Sequence, residues 1–196
     1  WQQTIGTPLL SIQPQIVHIS ANGQTVLIFP LGIRKSYGIK ILEWLGGQQT
    51  DYMLPLLYPN NYYNKTNFDE IWHKTIKCLQ NFDVLHIKNQ MEYIEEFPNP
   101  FHLKFKIHKH EISYYTDLGH SWEEFYKSKI SKKLIADSRR QLRRLNEVGR
   151  VNFIVAKDTI TKNNIIQKMM DQKSRRFRET GYMDLFHISQ FRDFYE

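Results

Sequence analysis

The chain has 196 residues, of which 41% are hydrophobic and 14% aromatic, enough for one sizeable core or two small lobes and too apolar for a disordered segment. Lys and Arg number 27 against 20 Asp and Glu, so the formal net charge is +7. That excess favours anionic partners such as nucleic acid, phosphorylated metabolites or an acidic membrane surface. Cys78 is the only cysteine, which excludes an intramolecular disulfide and a Cys-based zinc site. No apolar run approaches the roughly 20 residues that span a bilayer, and the N-terminus lacks a signal pattern, so the expected location is cytoplasmic.

In chain order, residues 1–14 mix Gly, Pro and polar side chains and are expected to enter as a loop. Residues 15–20 and 25–30 are two β-rich runs around Ala21, Asn22 and Gly23, a hairpin signal of the Asn-Gly kind. The second run, TVLIFP, is apolar throughout, as a central strand would be. Residues 40–45 form a third strand candidate, ending at Gly46 and Gly47. TDYMLPLLYP follows, and Pro55 and Pro59 argue against a regular element there.

From Asn67, a candidate cap, FDEIWHKTIKCLQ reads as a helix with Phe68, Ile71, Trp72, Ile76 and Leu79 on one side. Cys78 lies within that pattern and is expected to pack. DVLHI, residues 83–87, is a short strand. Residues 102–108 and 113–118 read as two more strands, because apolar and basic residues alternate in LKFKIH, with Lys109, His110 and Glu111 between them. Ser121 and Glu124 form a capping box for a short helix, SWEEFYKS.

The most strongly patterned stretch is SKKLIADSRRQLRRLNEVGR, residues 131–150. At about 100° per residue, Leu134, Ile135, Ser138, Leu142 and Leu145 share a sector of about 100°. Lys132, Lys133, Arg139, Arg140, Arg143 and Arg144 lie opposite, the pattern of a helix lying on a core with a cationic outer face. Ser131 is the expected N-cap and Gly149 the expected left-handed stop. VNFIVA, residues 151–156, reads as a strand. From Thr161 a further helix turns Ile165, Ile166, Met169, Met170 and Phe177 inward and Lys173, Arg175, Arg176 and Arg178 outward, with Gly181 ending it. The chain opens at Trp1 without a Met and closes inside SQFRDFYE, whose Phe191, Phe194 and Tyr195 suit a helix face that needs a partner, so a fragment is expected.

Few residues announce chemistry. There is no GxGxxG, no GxxxxGK[ST], and no Arg or Gln leading into an xxGxG or xxGxA pyrophosphate loop. His108 and His110 would share a strand face, but a metal site needs further ligands and only Glu111 is near in sequence, so no metal is expected. His73 and His86 read as packed or surface residues. No Ser has a GxSxG setting, and Cys78 lacks a base. Asp51, beside Tyr52 in an apolar Pro-rich loop, can bind an amine or hydroxyl, or act as a base if burial raises its pKa; the alternative is a carboxylate capping the turn after Gly46 and Gly47. For the basic helix the readings are a solvated face, a polyanion surface and a docking face. Its cationic side carries no aromatics, which argues against nucleic acid.

The pieces TVLIFPLG, KILEWLGGQQTDYMLPLL and SYYTDLGHSWEEFYKSKISKKLIADSRRQLRRLNEVGRVNFIV, in this order, resemble the N-terminal half of the CelD-like acetyltransferases of the GNAT superfamily, bacterial proteins associated with cellulose and exopolysaccharide synthesis. The resemblance rests on Leu45, Gly46, Asp51, Tyr52, Pro55 and Leu56 of an LG...DY..PL segment. It also rests on Ser131, Lys132, Lys133, Asp137, Arg139, Arg140, Arg143, Arg144 and Leu145 of an SKK...D.RR..RRL helix, with RRFRETG and FYE further on.

It implies an α/β fold, a mixed and mostly antiparallel sheet with flanking helices, and a two-lobed architecture like that of the FemAB-like peptidoglycan aminoacyl-ligases. The expected division is 1–14 as lead-in, 15–130 as an N-terminal GNAT-like lobe, and 131–196 as the basic helix and the incomplete start of an acyl-CoA lobe. The implied activity is transfer of an acyl group from acetyl-CoA or another acyl-CoA to an amine or hydroxyl. Asp51 and Tyr52 would stand near the substrate groove, and Lys132, Lys133, Arg139, Arg140, Arg143 and Arg144 would bind an anion or support the lobe junction. No catalytic residue carries over, and the chain as given is expected to hold no cofactor and to be inactive. The implied partners are the missing C-terminal GNAT lobe, a second copy, or polysaccharide-synthesis proteins.

Overall fold

In the computed structural model, residues 1–57, 65–94, 97–108 and 112–196 are described. The fold is mixed α/β. Strands β1 (Gln13–Ala21) and β2 (Gln24–Ser36) form an antiparallel hairpin. Its turn has Asn22 at φ 52° and Gly23 at φ 77°, the paired positive φ values that an Asn-Gly hairpin turn requires. β3 (Ile39–Trp44) pairs antiparallel with the far end of β2, and β5 (Val84–His86) adds in parallel to β3. β4 (Leu56–Leu57) pairs with Leu27 and Ile28 of β2. The sheet therefore has the order β1-β2-β3-β5, with β4 beside β2, and is mixed but mostly antiparallel. A separate two-stranded ribbon joins β6 (Tyr93–Ile94) and β7 (Phe97–Pro98).

The core lies on one sheet face. Leu27, Phe29, Leu31 and Ile33 of β2 alternate with residues of the opposite face, and Leu42 and Trp44 of β3 continue the same layer. Helix α1 (Lys65–Cys78) covers it with Phe68 and Trp72, both buried, and with the partly buried Ile71 and Ile76. Leu79, just beyond the helix, packs there too, so the five residues expected on one side do share it. The helix starts at Lys65, so Asn67 is inside it and not its cap. Cys78 is exposed, contrary to expectation.

The short helix α2 (Pro100–Lys104) replaces the strand expected over 102–108. Asn99 caps it: the Asn99 side chain accepts from the Phe101 backbone N–H at 3.0 Å, and its amide donates to Met91 O at 2.8 Å and Gln90 Oε1 at 3.2 Å. Pro100 suits the first helical position. Phe101 then enters the core, its ring centroid within 5.1–5.9 Å of those of Phe29, Trp44, Phe68, Trp72 and Phe105. Spacing of four between Phe101 and Phe105 outweighs the two-residue alternation of LKFKIH.

The opposite sheet face carries Gly32, where a side chain would come within 2.6 Å of Ile12 and Leu45. On it Arg34 donates to Glu43 at 2.8 and 3.2 Å, a bidentate pair whose carboxylate is nearly buried. The hydrogen bond to Glu43 holds the Arg34 guanidinium above its ordinary pKa, against the opposing effect of burial. The lead-in is not simply a loop: Gln2–Gly6 winds into one π-helical turn that buries Ile5.

The chain divides into two compact units, 1–108 with 163–196, and 109–162. In the first, α5 (Thr159–Thr180), most of which belongs to it, buries Met170 and Ser174, and α6 (Ser189–Tyr195) buries Phe191 and packs on the Gln2–Gly6 turn. Gly181, at φ 72°, ends α5 as expected. In the second, α3 (Trp122–Lys129) carries the expected cap, Ser121 Oγ accepting from Glu124 N, and α4 (Lys132–Val148) follows. Residues 113–118 and 151–157, read from the sequence as strands (the second over 151–156), form no regular element, and the described strands do not include them. Among the described residues no helix is long and apolar enough to cross a membrane.

The ring cluster yields a direct test. Phe101→Ala is expected to lower unfolding stability by about 3–5 kcal/mol, as for other large-to-small aromatic core changes. Phe153→Ala, at a side chain 95% exposed, should stay within about 0.5 kcal/mol of wild type. Denaturant titration of both variants checks the contrast.

Candidate functional site

The basic helix α4 separates leucines on one side from lysines and arginines on the other. Ser131 stands at φ −64°, ψ 145°, and its hydroxyl accepts from Leu134 N at 3.2 Å, so the N-cap forms as the sequence implies. The C-terminal stop does not. Gly149 sits at φ 176°, ψ 170°, extended backbone open to any residue. Asn146 supplies the termination: its amide donates to Leu142 O at 3.0 Å and its carbonyl accepts from Val151 N. A side chain able to cap a helix end from within was the signal that the Gly-based reading passed over.

Lys132, Lys133, Arg139, Arg140, Arg143 and Arg144 are all exposed. Among the described residues only Arg140 of these is ion-paired, to Asp137 at 2.9 Å one turn away. The leucines of the apolar stripe are also exposed, Leu134 by 53%, Leu142 by 50% and Leu145 by 57%, and Ile135 beside them is half-buried. The expectation that this helix lies on a core is thus not met, for among the described residues of unit 109–162 none is buried. Amphipathic spacing encodes a face that favours burial, and it is silent on what provides the cover.

Asp51 and Tyr52 lie in the other unit, after the tight turn Gly47–Gln49. Their loop is pinned on both sides. Asn89 Nδ2 donates to Thr50 O at 3.1 Å, Met53 N donates to Asn89 O at 3.0 Å, and Gln90 donates to Met53 O. Met53 is buried in the core, while Asp51 and Tyr52 are exposed. Burial that would turn Asp51 into a base is therefore lacking. Pro55 does not keep Leu56 and Leu57 out of the sheet, because only two residues pair and neither is the proline.

His108 is exposed, as are His73 and His86; His110, Glu111 and Pro59 lie outside the described residues. Among the described residues no group of three or more His, Cys, Asp or Glu is gathered as a metal site. A shallow hollow of about 270 Å³ between Thr116 and Lys129 went unnoticed in the sequence. Its polar groups serve local geometry: Asp117 accepts from Gly119 N, and Ser121 caps α3. No family model, no curated protein and no solved structure matches the chain.

One titratable group beside this region has a defined role. Asp158 accepts from Thr161 N and from the Thr161 hydroxyl, each at 2.8 Å, just ahead of α5, and the backbone bond chiefly lowers its pKa below the ordinary 3.8. A depressed carboxylate stabilises the folded form above its unfolded pKa and loses that contribution as pH falls through the folded value. The Thr161 amide resonance is therefore expected to hold constant as pH falls through the ordinary carboxylate range and to shift only at more acid pH. Asp158→Asn should abolish that acid-range titration in an NMR pH series.

Proposed function

We propose that the chain is part of a GNAT-superfamily N- or O-acyltransferase that uses acyl-CoA and serves cell-surface polysaccharide synthesis. One observation supports this reading beyond the order of the sequence motifs. Residues 151–157 follow the basic helix after Gly149 and Arg150, form no regular element, and expose Phe153 by 95%, Ile154 by 67% and Val155 by 65%. Exposed apolar β-formers in sequence favour a place in a sheet that covers them. A lobe whose further strands cover them, and which carries the acyl-CoA loop, is the completion this reading assigns.

In that arrangement Lys132, Lys133, Arg139, Arg140, Arg143 and Arg144 stand at the lobe junction, Asp51 and Tyr52 face the acceptor groove, and the reaction takes place in the cytoplasm. No catalytic residue is assigned. The 196-residue chain, which lacks a pyrophosphate loop, is expected to give no heat with acetyl-CoA in isothermal titration. A gene product carrying such a loop after residue 196 should bind it. Absence of binding there would sink the reading.

A second reading is a non-enzymatic module that holds a polyanion, favoured by the exposure of all six cations of α4. On immobilised heparin, Arg140→Ala, Arg143→Ala and Arg144→Ala together should elute at clearly lower salt than wild type. The slope of log affinity against log salt should fall by about 3. Unchanged elution rules this surface out.

A further inference from the structure

We infer that α4 is a docking element for an anionic lipid surface; the inference rests on the polyanion reading and narrows it to one partner. The first ground is charge. Residues 131–150 hold seven Lys and Arg against two Asp and Glu, a net of +5 within a chain whose total is +7. The second is shape. The helix has 17 residues, a rod of about 25 Å, and of its apolar stripe Leu134, Leu142 and Leu145 are exposed while Ile135 is half-buried. A helix that presents an uncovered apolar stripe beside a dense row of cations has the form of one that lies in a bilayer interface. The leucines enter the acyl boundary and the arginines meet the headgroups.

The competing occupants fit less well. Nucleic acid would engage the cationic side alone and leave Leu134, Leu142 and Leu145 in water, and that side offers no aromatic ring on which a base could stack. A second copy meeting stripe to stripe would bring two segments of net +5 together. An anionic bilayer satisfies both faces at once: its acyl boundary covers the stripe and its headgroups neutralise the cations.

The test uses the 196-residue chain, co-sedimented with vesicles of phosphatidylcholine alone or mixed with phosphatidylglycerol, with heparin and double-stranded DNA in parallel. Wild type is expected to partition onto the mixed vesicles only, and less as salt rises. Arg140→Ala, Arg143→Ala and Arg144→Ala together should weaken partitioning about 100-fold. Leu134→Gln, Leu142→Gln and Leu145→Gln together should also weaken it about 100-fold while leaving heparin elution unchanged. Glutamine matches leucine in helix propensity and the sites are exposed, so a far-ultraviolet circular dichroism spectrum like wild type is expected of this variant. Leu142→Trp should show a blue-shifted emission with mixed vesicles. Wild-type partitioning by the leucine variant overturns the inference. Binding to heparin or DNA without vesicles overturns it and leaves the polyanion reading standing, and binding to none of them overturns both. A dimer that the leucine changes dissolve, with no vesicle binding, assigns the stripe to a second copy and also overturns it.

Discussion

The sheet unit depends on one packing constraint, the insertion of Phe101 among the rings of Phe29, Trp44, Phe68, Trp72 and Phe105. Rings at these separations and mostly edge-to-face angles add to the burial itself, by about 0.5–1.5 kcal/mol per favourable pair. The cluster joins the adjacent interior strands β2 and β3, helix α1, helix α2 and Phe105 just after it. Asn99 supports it, because a fully buried amide left with unsatisfied groups would cost about 1–3 kcal/mol and offset much of what the ring contributes. It uses both donor and acceptor, tying the N-terminus of α2 to the segment at Gln90 and Met91. Gln90 in turn holds Met53, so the loop that presents Asp51 and Tyr52 depends on the same knot.

Unit 109–162 is organised on the opposite principle. Its helices are well capped and well patterned, yet none of its described residues is buried. Local hydrogen bonds at Ser121, Ser131, Asn146 and Asp158 define where its helices begin and end. Such bonds specify helices without specifying a tertiary position. Both functional readings follow from this, since an uncovered apolar stripe beside a cationic face calls for a covering surface, whether a further lobe or an anionic one.

Much of the sheet was legible in the residues. Asn22-Gly23 required positive φ at two positions and so named its turn, and TVLIFP had to be central because both of its faces are apolar. The period of α1 named its buried side. The failures share a cause: where two periods fit the same residues, local pattern does not choose. Residues 102–108 satisfied alternation, yet the pair Phe101 and Phe105 on one helical side, under an Asn cap and a Pro, had a core to fill. Cys78 sat in an apolar pattern, yet it is exposed while Ile76 and Leu79 on either side of it pack against the core. Gly149 looked like a left-handed stop, but Asn146 already satisfied the end.

The candidate site divides along the same line. That residues 131–150 form a capped helix with leucines on one side and arginines on the other follows from the sequence alone, because hydroxyl capping and the 3.6-residue repeat are local properties. Whether the leucines were covered, and whether Asp51 was buried enough to act as a base, are questions of long-range contact. Only the tertiary structure decides them, since burial depends on which distant residues arrive: among the described residues of unit 109–162 none is buried, and beside the anchored Met53 the Asp51 side chain is exposed.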